Sequence, residues 1–290
     1  MTGAGRVSAP GAVALETTLP ALGLPPGEGL PFTRELAEII RSEGGSPAVV
    51  GVLGGRPIVG MSDRELAELL DGRTVAKANT SNLGLLMQRG ADAATTVSTT
   101  MELAAGAGVR LFATGGIGGV HKEFGVRLDI SADLAALARF PVAVVASGTK
   151  SLLDVVSTRE ALESLGVPVV GFRCDKFPAF YLRESAAGLD GSFDDEAELA
   201  RFIDAELGRT GRGVLVCNPI PSQDELPPGA WDAWLAEAER RAGGAEGRDI
   251  TPRVLAALHT VSDGATMRAN LALVRSNCRL ASRIAARMPG

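Results

Sequence analysis

Two lysines, Lys77 and Lys150, each stand at the end of an apolar run, and Glu16 directly follows another, Val13-Ala14-Leu15. A lysine at a strand end is ordinarily a solvated surface charge. A lysine partly desolvated beside a second cation loses its proton more readily, and its neutral amine can attack an electrophilic carbon. Two lysines converging on one site would serve two needs, one holding phosphate and the other acting as nucleophile. Glu16 is either a surface strand end or a general acid whose proton is held by burial. Asp129-Ile130-Ser131-Ala132-Asp133 places two carboxylates and a hydroxyl within five residues before a helical pattern. Helix capping by Ser131 or Asp129 accounts for that run. So does a hard cation, Mg²⁺ or Mn²⁺, held mainly by one carboxylate and water. His121 follows a glycine-rich segment, where it is either structural or part of a site. His259 lies within a helical pattern and reads as structural.

These residues need elements to bring them together. Short β-branched runs alternate with amphipathic stretches. The expected strands are 13–15, 48–53, 57–59, 75–77, 94–97, 111–114, 142–146, 169–172 and 214–217. Gly54-Gly55 supplies the positive φ of a tight hairpin between the second and third. Ser62…Glu65 and Ser157…Glu160 fit the capping-box spacing, Thr251-Pro252 fits an N-cap followed by proline, and a last helix runs over about 267–287. Stretches 186–195 and 242–248 read as exposed loops. Alternation of this kind predicts a layered α/β fold with a largely parallel, mostly buried sheet, in one domain after a flexible 1–10.

In such sheets ligands gather at the carboxyl ends of the strands. Glu16-Thr17-Thr18, Lys77, residues 95–100, the glycine loop 114–121 and Ser147-Gly148-Thr149-Lys150-Ser151 all fall there. Hydroxyls, glycines and two lysines on five strand ends suit one phosphorylated polar ligand. Ser98-Thr99-Thr100 at a helix start reads equally as an ordinary cap or as an anion site. Gly115–Gly119 lacks dinucleotide spacing, and no helix pattern follows it. It is a tight solvent loop or a place of close backbone approach to a ligand.

Composition narrows the classes. A formal charge of −5 and 4% aromatic residues argue against nucleic acid as a partner, and no apolar run is long enough to span a membrane. Cys174, Cys217 and Cys278 are far apart with no CxxC pair, which fits reduced thiols in a cytoplasmic protein.

Taken in order, Ala14-Leu15-Glu16-Thr17-Thr18, Ala94-Thr95-Thr96-Val97-Ser98, Phe112 to His121, Asp129 to Leu134, Lys150-Ser151, Phe177-Pro178-Ala179-Phe180-Tyr181, Cys217-Asn218-Pro219-Ile220-Pro221 and Ala269-Asn270-Leu271 resemble pseudouridine-5′-phosphate glycosidases, over about residues 11–287. The resemblance implies an αβα fold, a homotrimer, a divalent metal (usually Mn²⁺) and C–C glycosidic chemistry. It implies Lys150 as nucleophile and Glu16 as proton donor. Lys77, the backbone at Val97, and Ser131, Ala132 and Asp133 would hold ribose phosphate, and Asp129 the metal. Thr114, His121 and Asn270 would face the heterocyclic ring. The likeness also covers C-glycosynthases, which join ribose 5-phosphate to another ring, and a phosphosugar-binding protein without catalysis would share it. It departs from the family at Leu22, at Ser81-Asn82-Leu83 and at Lys176, and these departures bear on the ring rather than on the chemistry.

Overall fold

The computed structural model describes residues 11–71, 74–122, 125, 128–243 and 250–289. The expected flexible stretch 1–10 and most of the expected loop 242–248 lie outside them. The strands are β1 (Ala12–Leu15), β2 (Ser46–Leu53), β3 (Arg56–Val59), β4 (Ala76–Ala78), β5 (Ala93–Thr95), β6 (Leu111–Ala113), β7 (Val120–His121), β8 (Ala143–Ala146), β9 (Leu153–Asp154), β10 (Val169–Phe172), β11 (Gly191–Phe193) and β12 (Val214–Cys217). The helices are α1 (Gly29–Ser42), α2 (Asp63–Leu70), α3 (Leu83–Gln88), α4 (Val97–Gly106), α5 (Ala132–Arg139), α6 (Val155–Ser164), α7 (Glu196–Thr210), α8 (Pro228–Arg241), α9 (Ile250–Val261) and α10 (Ala265–Ala285).

The main sheet runs β11-β10-β12-β8-β6-β1-β2-β5-β4, with β3 paired to β2 as the hairpin that Gly54 and Gly55 turn, both at positive φ. Its pairings are parallel except β2 with β3 and β2 with β5. Side chains of β1 alternate: Val13 and Leu15 enter one apolar cluster with α1, α7 and α10, and Ala14 enters the other with α4 and α5. A strand buried on both faces has no polar side, which is why these runs read as continuously apolar. The result is the expected αβα layering.

Three local expectations change. Ser157…Glu160 is not a capping box, because α6 begins earlier: the Asp154 carboxylate accepts the Ser157 N–H at 2.9 Å and its hydroxyl at 2.8 Å. Thr251 and Pro252 already lie inside the described part of α9, with side chains outside the described residues. Residues 186–195 are not simply an exposed loop, since Ala187 is buried and β11 extends the sheet along β10. Asp190 anchors that segment by accepting the Val169 N–H at 2.8 Å and pairing with Arg159. At α2 the predicted capping box is present, with Ser62 and Glu65 bonding reciprocally.

Candidate active site

Glu16 leaves the end of β1, in the middle of the sheet. Its turn is fixed by hydroxyls: Thr17 donates to the Val50 carbonyl at 2.9 Å and accepts from the Thr95 N–H at 3.0 Å, while Thr18 donates to the Thr95 carbonyl at 2.7 Å. The Glu16 carboxylate accepts the Thr114 hydroxyl in a short hydrogen bond. Although the residue as a whole is only half-buried, protein crowds its carboxyl, and this desolvation holds its pKa above the ordinary value of 4.5. The charges of Lys150 and Lys77 and the Thr114 bond pull the other way, and Asp133 adds to the rise. The acid, both lysines and Asp133 therefore share one neighbourhood. Lys77 as a whole residue is exposed, yet desolvation of its head, and next the charge of Lys150, lower its pKa.

Lys150 sits on a loop built by β8 running on past its last residue. The glycine segment after β6 runs alongside: Ser147 donates to the Gly115 carbonyl at 2.9 Å, Ile117 to the Gly148 carbonyl at 3.0 Å, and Lys150 to the Ile117 carbonyl at 3.1 Å. Gly148 has φ of 72°, and a Cβ there would stand 1.8 Å from the Pro178 carbonyl oxygen, so only glycine lets the 177–181 segment close over this loop. The glycine segment is not a solvent loop. Gly115, Gly116 and Gly119 are buried, and side chains added at Gly116 and Gly119 would strike the Phe180 ring and Thr158.

Asp133 has a definite task. One carboxylate oxygen accepts the Ser98 N–H at 2.9 Å and the other the Gly118 N–H at 2.8 Å, while Ser131 N-caps α5 by accepting the Asp133 N–H at 3.2 Å. Val97, expected to end a strand, is instead the first residue of α4, because Thr96 is already extended as its N-cap. Its N–H is among those that an α-helix leaves without an internal acceptor, and Thr99 beside it has a fully buried hydroxyl with no partner. Asn270 lies against Gly115, its Oδ1 3.2 Å from where a Cβ would be. His121 Nε2 stands 3.8 Å from Asp129 Oδ2, and the Asp129 side chain is half exposed. No group of three His, Cys, Asp or Glu that could enclose a metal occurs among the described residues. The donors present, one open carboxylate with an imidazole nearby, fit a hard cation that keeps most of its water.

At the departures, Leu22 is half exposed in a π-helical turn after Glu16, and Lys176 is exposed. Asn82 turns back to donate to the Lys77 carbonyl at 3.1 Å. His259 is structural as expected, its Nδ1 2.8 Å from the Thr266 hydroxyl, and the three cysteines are free. Sequence reasoning gave no task to Asn218, Asn277, Ser147 or Phe180. The one available signal was a polar residue, Asn277, within the apolar stripe of the last helix.

The indigoidine synthase A-like protein family model matches residues 7–287. The chain belongs to that family. It is 42% identical over 284 residues to a pseudouridine-5′-phosphate glycosidase of Salinispora tropica, covering 97% of this chain and 87% of the relative. To the Streptomyces griseus pseudouridine-5′-phosphate glycosidase it is 44% identical, covering 94% and 86%. Among solved structures, an indigoidine synthase A-like protein of Thermotoga maritima superposes with a TM-score of 0.89 at 34% identity, over 98% of this chain and 95% of that one. The prealnumycin C-glycosynthase AlnA, solved with ribulose 5-phosphate, superposes with a TM-score of 0.88 at 33% identity, over 96% and 91%. The chain is an enzyme of this C-glycosidase and C-glycosynthase type. No helix among the described residues is long and apolar enough to cross a membrane.

Proposed function

We propose that the protein breaks or forms the C–C bond between ribose 5-phosphate and a heterocycle, with Lys150 as nucleophile and Glu16 as acid. The observation that carries this reading is that Lys150 and Lys77 both bear electrostatically on a crowded Glu16 carboxyl at the strand ends. A C-glycoside offers no heteroatom leaving group for an acid to protonate, so a pair of carboxylates acting as in ordinary glycosidases does not suffice. Opening the sugar does. Glu16 gives its proton to the ring oxygen as the C1′–O4′ bond breaks, and the Lys150 amine adds to C1′ through its nitrogen lone pair, losing a proton. The C1′–C bond to the heterocycle then breaks, its electron pair leaving with the ring carbon, which takes up a proton. Water hydrolyses the remaining imine to ribose 5-phosphate and free amine.

Lys77, the Val97 N–H and the Ser131-Ala132-Asp133 turn surround the phosphate in this reading, with Asp133 acting through the two backbone segments it ties together. Thr114, through its hydroxyl, holds Glu16, and Asn270 and His121 face the ring. Asp129 would hold a divalent ion, Mn²⁺ or a similar cation, which supplies positive charge beside the phosphosugar. Assembly as a homotrimer and a cytoplasmic location complete the reading.

Cleavage of pseudouridine 5′-phosphate is favoured by the relatives above 40% identity; synthesis of another C-nucleoside phosphate is favoured by the altered residues at Leu22, Asn82 and Lys176. Incubation of the enzyme with pseudouridine 5′-phosphate, and separately with ribose 5-phosphate and a panel of rings, separates them by product mass. Borohydride with ribose 5-phosphate should leave a reduced adduct on Lys150. No adduct on the wild type, or an equal one on Lys150→Ala, overturns the mechanism.

A further inference from the structure

A single buried side chain reaches both the residue that holds the acid, Thr114, and the loop that leads to the nucleophile. Asn277, on α10, is fully buried. Its Nδ2 donates to the Thr114 carbonyl at 2.7 Å and to the Ser147 hydroxyl at 3.2 Å, with the Gly115 carbonyl at 3.4 Å. Its Oδ1 accepts from Asn218 Nδ2 at 2.9 Å, and the Ser147 hydroxyl donates to the Asn218 carbonyl at 2.8 Å. The Thr114 carbonyl can only accept, so the NH₂ must face it, and the amide orientation is determined by the network. Asn277 has both amide hydrogens and its oxygen engaged. A network satisfied in this way holds its members in one arrangement, whereas losing one member strands buried polar atoms.

What it holds is specific to the chemistry. Thr114 is the residue whose hydroxyl holds the Glu16 carboxylate. Ser147 begins the four-residue run that ends at Lys150, and its N–H is bonded to the Gly115 carbonyl. We infer that Asn277 is a positioning residue that fixes the acid and the nucleophile relative to each other by clamping the loops after β6 and β8. The inference rests on the roles proposed for Glu16 and Lys150. It makes α10 part of the site through its buried face as well as through Asn270. A displacement of the order of 1 Å between reacting groups costs about 100-fold in rate, so this clamp should appear in turnover more than in binding.

The test uses the full chain and pseudouridine 5′-phosphate. In Asn277→Ala we expect kcat to fall about 10- to 100-fold with KM within about threefold, because Lys77 and the start of α4 are untouched. Borohydride trapping on Lys150 should slow in parallel. The limb of kcat/KM set by Glu16 should move to higher pH, since a slackened Thr114 bond removes one of the influences that lower its pKa. The groups bearing on that carboxyl, Lys150, Lys77 and Asp133, are unchanged in the variant. Ser147→Ala deletes one hydroxyl of the same network and should lower kcat in the same direction, which keeps the test open if Asn277→Ala does not fold.

Ser282→Ala is the control: it removes a buried hydrogen bond from the same helix, to the Ile40 carbonyl at 2.7 Å, without touching either loop. It should lose stability and keep kcat within about twofold. Wild-type kcat in both network variants overturns the inference, as does a fall no larger than that of Ser282→Ala. A wild type that neither turns over the substrate nor forms the adduct overturns the functional reading, and this inference with it.

Discussion

At the scale of single residues the site is an arrangement of opposed influences on Glu16. Burial raises its pKa, while two lysine charges and the Thr114 hydroxyl oppose the rise. A general acid must be protonated to act, so kcat/KM should fall as pH rises through the raised pKa of Glu16. Lys77→Met, by removing one lowering charge, should move that limb upward while raising KM for the phosphosugar. The same shift bears on stability. A carboxyl whose folded pKa lies above its unfolded value binds more protons in the native state, so stability falls as pH rises from the unfolded pKa through the folded one. Glu16→Gln should therefore raise the melting temperature at neutral pH and leave it unchanged well below the ordinary carboxyl range. Its kcat should fall about 100- to 10,000-fold, the usual contribution of a positioned acid. Thermal melts at two pH values with steady-state rates check this, and a lower melting temperature at neutral pH would sink the account.

At the scale of elements, the strand ends are tied together by side chains that cap helices. Asp133 joins the start of α4 to the glycine loop through two backbone N–H groups. Asp133→Ala should raise KM for ribose 5-phosphate about tenfold, because the freed backbone no longer holds its shape around the phosphate. A kcat loss with KM unchanged would place Asp133 elsewhere in the mechanism. By contrast, Ser62→Ala removes only the α2 capping box and should cost about 1 kcal/mol of stability with kinetics unaltered. Denaturant titration beside a rate assay distinguishes the two cases. Much at this scale was legible in the sequence, because the Gly54-Gly55 turn and the Ser62…Glu65 box are local bonds between near neighbours. The Ser157…Glu160 pattern failed for an equally local reason: Asp154, three residues earlier, competes for the same N–H and wins it.

At the scale of the molecule, α10 is packed across the sheet. Leu273, Val274, Cys278, Ala281 and Ile284 enter the cluster that also holds Val13 and Leu15 of β1. The last helix and the first strand are therefore one core, although they stand at opposite ends of the chain. A chain ending before residue 265 should fail to fold, because it exposes the apolar face of the central strands; a cooperative unfolding transition in that truncation would contradict the packing argument. The resemblance implies three copies per molecule. Light scattering should return three times the chain mass, and a monomer that is fully active would set the trimer aside.

The alternation of apolar runs and amphipathic stretches by itself determined a layered α/β fold with a buried, largely parallel sheet, since strands covered on both faces must be apolar throughout. Glu16, Lys77 and Lys150 were legible as candidates because Glu16 directly follows an apolar run, Lys77 closes one and Lys150 comes four residues after another, near strand ends where ligands bind. The tertiary structure alone decided how they are held. That the glycine segment is packed under Phe180, that Asp133 ties α4 to Gly118, and that Asn277 bridges the loops after β6 and β8 depend on contacts between segments far apart in the chain. Asn277 reaches Thr114 across 163 positions. A periodic pattern records which face of a helix is buried and carries no record of what that face meets, so a polar residue within the stripe gains its meaning only when the helix is laid across the sheet.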